Sequence, residues 1–256
     1  MAATVSDSGD APNRYRAAQL GLTRLRVRDV RGLRRLIIPA RLQSSVPDWL
    51  TAMQAVIDQY SRVSASLAAD FYDAQREAAG AVGPFTVPVA DPPPDEQSES
   101  SLRWAAKDVW ERDPEDPATT DAQREPVEVR LVQAEKKAEA VAQKLVTDTG
   151  RGTVREAVRQ DRLATAWARS AALGACAFCK LLATRGAVYK QDTVDFRAHD
   201  GCHCGVVPVF KGQRFELSDH AREWERLYRE HAAPHSGEQL NRFRRALAEH
   251  GHMPVL

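Results

Sequence analysis

Long apolar runs, cysteine and methionine are what this chain of 256 residues has least of. No stretch of about 18 apolar residues occurs, so no transmembrane helix is expected. The segment Met1 to Asn13 is small and polar, carries Asp7 and Asp10, and lacks the basic start and apolar core of a signal peptide. A protein without membrane contact, kept where it is made, is the expectation. Self-similarity at solenoid periods is missing. Cysteine occurs 4 times, always between Cys176 and Cys204, which argues against a disulfide framework. What remains is close to the globular average, with 43% hydrophobic and 28% charged residues, and excludes wholesale disorder, collagen and a coiled-coil rod. At roughly 150 residues per domain, the length allows one or two domains.

Charge of one sign is scarce locally rather than overall. The formal net charge is +1, yet residues 13–38 hold eight arginines against Asp29 alone, a net of +7. Residues 91–125 hold eleven acids against Arg103, Lys107, Arg112 and Arg124, a net of −7. Such segregation concerns partners and assembly rather than fold. Leu22, Leu25, Leu33, Leu36 and Ile37 recur at helical spacing between the arginines, Gly21 and Gly32 weaken the helix, and Pro39 ends it. Two readings follow: a surface helix with solvated arginines, or a docking helix for nucleic acid or an acidic protein surface. Arg24, Arg28, Arg31, Arg34 and Arg35 are the candidate partner-binding residues.

The clearest helix follows, with a capping-box-like start at Ser45 and Asp48 around Pro47. Trp49, Met53, Val56, Tyr60, Val63, Leu67 and Phe71 form one apolar seam, and Gly80 and Gly83-Pro84 stop the helix near Ala79. Proline and acid then dominate residues 84–125, read as a linker with a short helix from Ser101 to Trp110. A helical block from Pro126 to Thr149 ends at Gly150, and Thr153 with Glu156 caps another that runs to about Leu173. The segments 187–189 and 205–210 read as strands, and 217–231 and 238–250 as closing helices. The composition thus divides the chain into residues 1–83, 84–125 and 126–256. The expected fold is mainly α, with long N-terminal helices and a small zinc-clasped α+β unit near the C-terminus.

Chemistry concentrates in Cys176-x2-Cys179-x19-His199-x2-Cys202-x-Cys204. Two cysteines three apart can chelate one ion from a single turn, and a second pair across a loop completes a tetrahedral shell. Thiolate and imidazole donors suit zinc, one ion per chain; a [2Fe–2S] cluster would also use four cysteines but fits the paired spacing less well. The four cysteines rank first as ligands, with His199 as a substitute for one of them. His203 ranks last, because in an extended segment it points away from Cys202 and Cys204.

The same residues carry a resemblance. The run Gly174-Ala-Cys-Ala-Phe-Cys179 through Tyr189, then Phe196-Arg-Ala-His-Asp-Gly-Cys-His-Cys204 and Val207-Pro-Val-Phe210, resembles the MuF-like minor capsid proteins of actinobacteriophages, a group often labelled capsid maturation proteases. The broader pattern is a Cys-x2-Cys, a Gly before a short strand, and a His-Pro-x-Cys-Arg-Cys element. Here that element is His199-Asp-Gly-Cys-His-Cys204, with Asp200 and His203 at the Pro and Arg positions. Arg14 to Leu20, Val46 to Leu50, Ser66 to Tyr72, Trp224 to Glu230 and Phe243 to Leu247 are similar to the same group. The resemblance implies a low-copy virion component assembled in the host cytoplasm and bound to the portal and the inner head surface. The partners it implies are the portal protein and the major capsid or scaffolding protein, with packaged DNA as the alternative.

The protease label is weakly supported by residues. Neither a Gly-x-Ser-x-Gly elbow nor a His-Glu-x-x-His helix is present, and all four thiols are better explained as ligands. His220, His231, His235, His250 and His252 lie in a polar region where solvated histidines are common. A zinc-organised nuclease would need a hydrated divalent ion near the cluster, and no second acidic pair is placed to hold one. The sequence reading therefore ranks an assembly protein first, a capsid maturation protease second and a nuclease third.

Overall fold

The computed structural model describes residues 3–110, 115–190, 202 and 204–252. These are mainly helical, with short strands, as the sequence predicts. In chain order the elements are β1 (Ala3–Ser6), α1 (Asp10–Gly32), α2 (Leu42–Ala78), α3 (Asp95–Ala106), α4 (Asp121–Arg124), α5 (Val127–Gln160), β2 (Ala164–Ser170), α6 (Ala177–Ala183), β3 (Gly205–Phe210), β4 (Gln213–Glu216), α7 (Asp219–His231) and α8 (Gln239–Glu249). Two compact units result, each assembled from separated stretches of chain. One takes Gln19–Ser64 and Asp91–Thr149; the other takes Met1–Ala18, Ala65–Ala90 and Gly150–Leu256. These units do not follow the consecutive division that composition draws at 84 and 126. The reason is that α1, α2 and α5 each supply residues to both units.

The arginine-bearing unit, Gln19–Ser64 with Asp91–Thr149, is built on α1, α2, α3 and α5. Its core gathers Val30, Ile37, Trp49, Met53, Ile57, Leu102, Ala105, Val109, Leu131 and Leu145. The seam of α2 passes through Ile57 as well as Val56, which packs partly buried against this core, and Val63 is exposed. The capping box at Ser45 does not form, because α2 already starts at Leu42 and Pro47 lies inside it. Ser45 instead accepts the Ile38 amide through Oγ at 3.0 Å, pinning the turn before α2. Residues 84–125 are not simply a linker. Helix α3 covers Asp95–Ala106, longer than the short helix expected from Ser101, and Leu102 and Ala105 are fully buried. Acid and proline disguise this segment, but its apolar residues fall at helical spacing toward one face.

The cysteine-bearing unit contains all four strands found among the described residues. Strands β2 and β3 pair antiparallel, from Ala164 against Phe210 to Ser170 against Gly205. The helix expected up to Leu173 is thus corrected: α5 ends at Gln160 and residues 164–170 are extended. Asp161 makes the stop, accepting the Leu163 amide at 2.9 Å, the Tyr72 hydroxyl at 3.2 Å and the Arg76 guanidinium at 2.9 Å. Nor does Gly150 end a helix. Gly150 and Gly152 each cost α5 about 1 kcal/mol, which burial of Val154, Ala157 and Val158 in the same helix outweighs. Thr153 is not a cap either; its Oγ1 accepts the Ala90 amide at 3.1 Å and ties down the segment after α2.

Besides β2, two further strands had no sequence signal. β1 lies parallel to β4, from Ala3 beside Gln213 to Ser6 beside Glu216. The Lys211-Gly212 turn before β4 needs Gly212, whose φ is +87°. Beyond β1, the buried Asp7 carboxylate accepts the Ser218 amide at 3.1 Å and the Ser218 hydroxyl at 3.2 Å. Ser218 in turn caps α7, accepting the Ala221 amide at 3.4 Å. Helices α7 and α8 then close over α6, burying Trp224, Leu227, Phe243 and Leu247. Among the described residues no helix is long and apolar enough to cross a membrane.

Candidate metal centre

Three short elements bring the cysteines together. Cys176 is the N-cap of α6, its sulfur accepting the Cys179 amide at 3.4 Å, so the first turn of the helix fixes the Cys-x2-Cys pair. Cys204 lies immediately before β3, and Cys202 two residues earlier. Pairing of Ser170 with Gly205 sets that second pair in register with the end of β2. A side chain at position 205 would come within 3.0 Å of Ser170 Oγ, which would have to move aside to admit it.

The outcome is a compact sulfur cluster. Cys179 Sγ is 3.0 Å from Cys202 Sγ and 3.5 Å from Cys204 Sγ, and Cys202 Sγ is 2.9 Å from Cys204 Sγ. Cys176 joins through a hydrogen bond between its thiol and that of Cys179. All four are free thiols, and Cys179, Cys202 and Cys204 are buried. Around a tetrahedral zinc with bonds of about 2.3 Å, neighbouring sulfurs stand about 3.8 Å apart. The three sulfurs need to part by less than ~1 Å to admit such an ion. Donor type and spacing therefore fit a thiophilic ion, and this group can hold one.

Electrostatics point the same way. Hydrogen bonds from Cys179 and Cys204, then the charge of Arg151, pull the Cys202 thiol well below its ordinary range. The Cys179 thiol is pushed far up by its hydrogen bond with Cys176, then by those with Cys202 and Cys204 and by burial. The three sulfurs share protons in hydrogen bonds with one another, and a cation entering the cluster takes the place of those protons.

Three buried cations surround the cluster. Arg151 on α5 donates to Cys204 O and Cys202 O, both at 2.8 Å, and to Cys204 Sγ at 3.5 Å. Arg169 on β2 donates to Cys204 Sγ at 3.5 Å. Lys180 on α6 is fully buried, donates to the His252 carbonyl and lies 5.1 Å from the centre of the Trp224 ring. Burial lowers its pKa, against the opposing influence of Cys176. Sequence reasoning missed all three. Arg151 and Arg169 act across 35 to 53 residues of sequence, and no local pattern marks them.

Of the five predicted ligands, the structure gathers Cys179, Cys202 and Cys204 and sets Cys176 beside them; His199 lies outside the described residues, as does His203. Of the predicted partner-binding residues, Arg24, Arg28, Arg31 and Arg35 are exposed, the first three at spacings of 4 and 3 along α1 and Arg35 in the 3-10 turn Leu33–Leu36 that follows it. Arg28 pairs with Asp29 at 3.0 Å and Arg31 with Glu139 at 3.2 Å. Arg34 is half-buried against Glu135 at 3.9 Å. Arg26 turns inward and is buried, donating to Glu139 O and to Gln143 Oε1, and burial lowers its pKa to about 10.

The family model described as VG15 protein matches residues 7–231, a span that holds every cysteine and the whole arginine face. The chain belongs to the VG15 protein family. VG15 membership makes it a phage-related protein. No curated protein and no solved structure matches the chain. The VG15 match runs from Asp7, which holds Ser218, to His231, the last residue of α7, and so takes in β2, β3 and the cysteine cluster between them.

Proposed function

We propose that this phage-related chain is a portal-associated minor capsid protein of the MuF-like kind, with a structural role in head assembly and DNA packaging. Its place of work is the virion, at the portal or inner head surface, and zinc in the cysteine cluster clasps the unit that carries it. The observation that carries this reading is the convergence of Cys179, Cys202 and Cys204, the residues through which the chain resembles that group. A buried sulfur cluster with its donors turned inward suits a closed structural site, not one with an open position for substrate.

The docking face is the outer side of α1. Arg24, Arg28 and Arg31 are interleaved there with Leu20 and Leu25, which are 40% and 47% exposed, and the exposed Arg35 follows in the 3-10 turn Leu33–Leu36 just after the helix. Arginine among exposed apolar side chains is the composition of a protein interface. An acidic patch on the portal or on a capsid or scaffolding protein would meet both parts, whereas DNA phosphates would leave the leucines uncovered. Reversing Arg24, Arg28, Arg31 and Arg35 to Glu together is expected to leave the fold unchanged and to cut incorporation into procapsids at least tenfold, about 1.4 kcal/mol. Normal incorporation of that variant would remove the face from the assembly reading. DNA binding in its place would show as affinity falling with salt, at roughly 0.9 logarithmic units per phosphate contact. Co-expression with the portal and major capsid protein also tests the peptidase alternative. Trimmed capsid chains that vanish when a single Ser or His of this protein is changed, with the fold intact, would replace assembly by proteolysis.

A further inference from the structure

We infer that Arg151 and Arg169 are positioning residues of the metal centre, with different tasks: Arg151 builds the Cys202–Cys204 half by geometry, and Arg169 supplies positive charge to the Cys204 sulfur. Cys202 and Cys204 are separated by one residue, and neither belongs to a helix whose turn would hold both sulfurs toward one point. Arg151 takes over that work. Its Nε and a terminal nitrogen reach two successive ligand carbonyls at 2.8 Å, and the same terminal nitrogen reaches Cys204 Sγ at 3.5 Å. A planar fork can span two carbonyls and a sulfur at once; an ammonium, being a point donor on a flexible stem, cannot.

Arg169 reaches the same sulfur from β2. Within β2 it stands opposite Val206 in the β2–β3 register and sends one nitrogen to Cys204 Sγ at 3.5 Å. Here positive charge beside the sulfur matters more than fork geometry, because a metal-bound thiolate carries negative charge that a nearby cation stabilises. Outer groups that orient or polarise ligands are typically worth 10- to 100-fold in metal affinity. The inference rests on the cluster binding metal, and it goes beyond the assembly role.

The test uses the full chain, with zinc affinity measured by chelator competition, cobalt(II) absorption as the signature of thiolate ligation, and circular dichroism as the check on fold. Arg151→Gln and Arg151→Lys are both expected to bind zinc roughly 10- to 100-fold more weakly and to alter the cobalt spectrum. Arg169→Gln is expected to lose a similar factor, and Arg169→Lys to recover most of it. Wild-type affinity in Arg151→Lys, or equal losses in the two Arg169 variants, overturns the division of tasks. Failure of both Arg151 variants to fold in saturating zinc makes Arg151 a core residue and overturns its half of the assignment. A wild-type chain that binds neither zinc nor cobalt fails the metal reading itself, a result distinct from all of these.

Discussion

Cys179→Ser is expected to abolish stoichiometric zinc binding and to remove several kcal/mol from the cysteine-bearing unit, and chelation of the wild-type protein should reproduce the loss. The reason lies in where Cys179 sits. It is fully buried, contacts both Cys202 and Cys204, and belongs to the first turn of α6, against which α7 and α8 pack. In small metal sites the binding free energy is folding free energy, on the order of 10 kcal/mol for structural zinc, which matches the whole stability of an ordinary domain. The change exchanges a thiolate for a hydroxyl that zinc binds poorly. Elemental analysis of protein purified without added metal should give about one zinc per chain. Iron with its chromophore, or no metal, would end the zinc assignment. Because the ligands must shed protons to bind, zinc should also be lost as pH falls.

Asp161→Ala comes next in size, with an expected cost of about 3–5 kcal/mol and a clear fall in melting temperature. This carboxylate is 3% exposed and answers three donors at once: the Arg76 guanidinium, the Tyr72 hydroxyl and the Leu163 amide. Its removal strands a mostly buried cation beside a buried phenol and also frees the turn between α5 and β2. Tyr72 reflects the same environment, for burial and then the charge of Asp161 push its pKa far up. The matched control is Glu230→Gln on α7, where Arg226 pairs with Glu230 at 2.6 Å on the exposed surface. Such pairs contribute about 0–1 kcal/mol, so that variant should melt close to wild type. Thermal denaturation of the two side by side decides it, and equal shifts would refute the buried-pair account.

How much of this was legible in the sequence depended on how far each determinant reaches. The sulfur cluster could be read because Cys176 and Cys179, and Cys202 and Cys204, are local pairs whose spacing states their chemistry. Helices α7 and α8 could be read because each has one apolar face and polar flanks. The strand β2 could not, since Ala164 to Ser170 is extended only because β3 pairs with it, more than 30 residues later. The same holds for α5, where Gly150 reads as a break until Val154, Ala157 and Val158 are seen buried. Residues 91–125 misled most, since their net charge of −7 hid Leu102 and Ala105, which lie at the centre of a core. The arginines divided likewise: periodicity places Arg24, Arg28, Arg31 and Arg35 on one face, but only packing shows that Arg26 is buried.

The parallel pairing of β1 with β4, and the grip of Asp7 on Ser218, bear on how the chain is made. The two residues are 211 apart in sequence. At about 5–20 residues per second, the ribosome releases the second roughly 10–40 s after the first. Gln19–Ser64 and Asp91–Thr149 have all emerged well before then, so the arginine-bearing unit can close while the nascent chain is still growing. The other unit must wait for β4 and α7, with the N-terminal strand unsatisfied in the interval. Translation therefore allows an order: the arginine-bearing unit can close first, and the thiols stay open to metal until α7 and α8, which pack over them, have emerged.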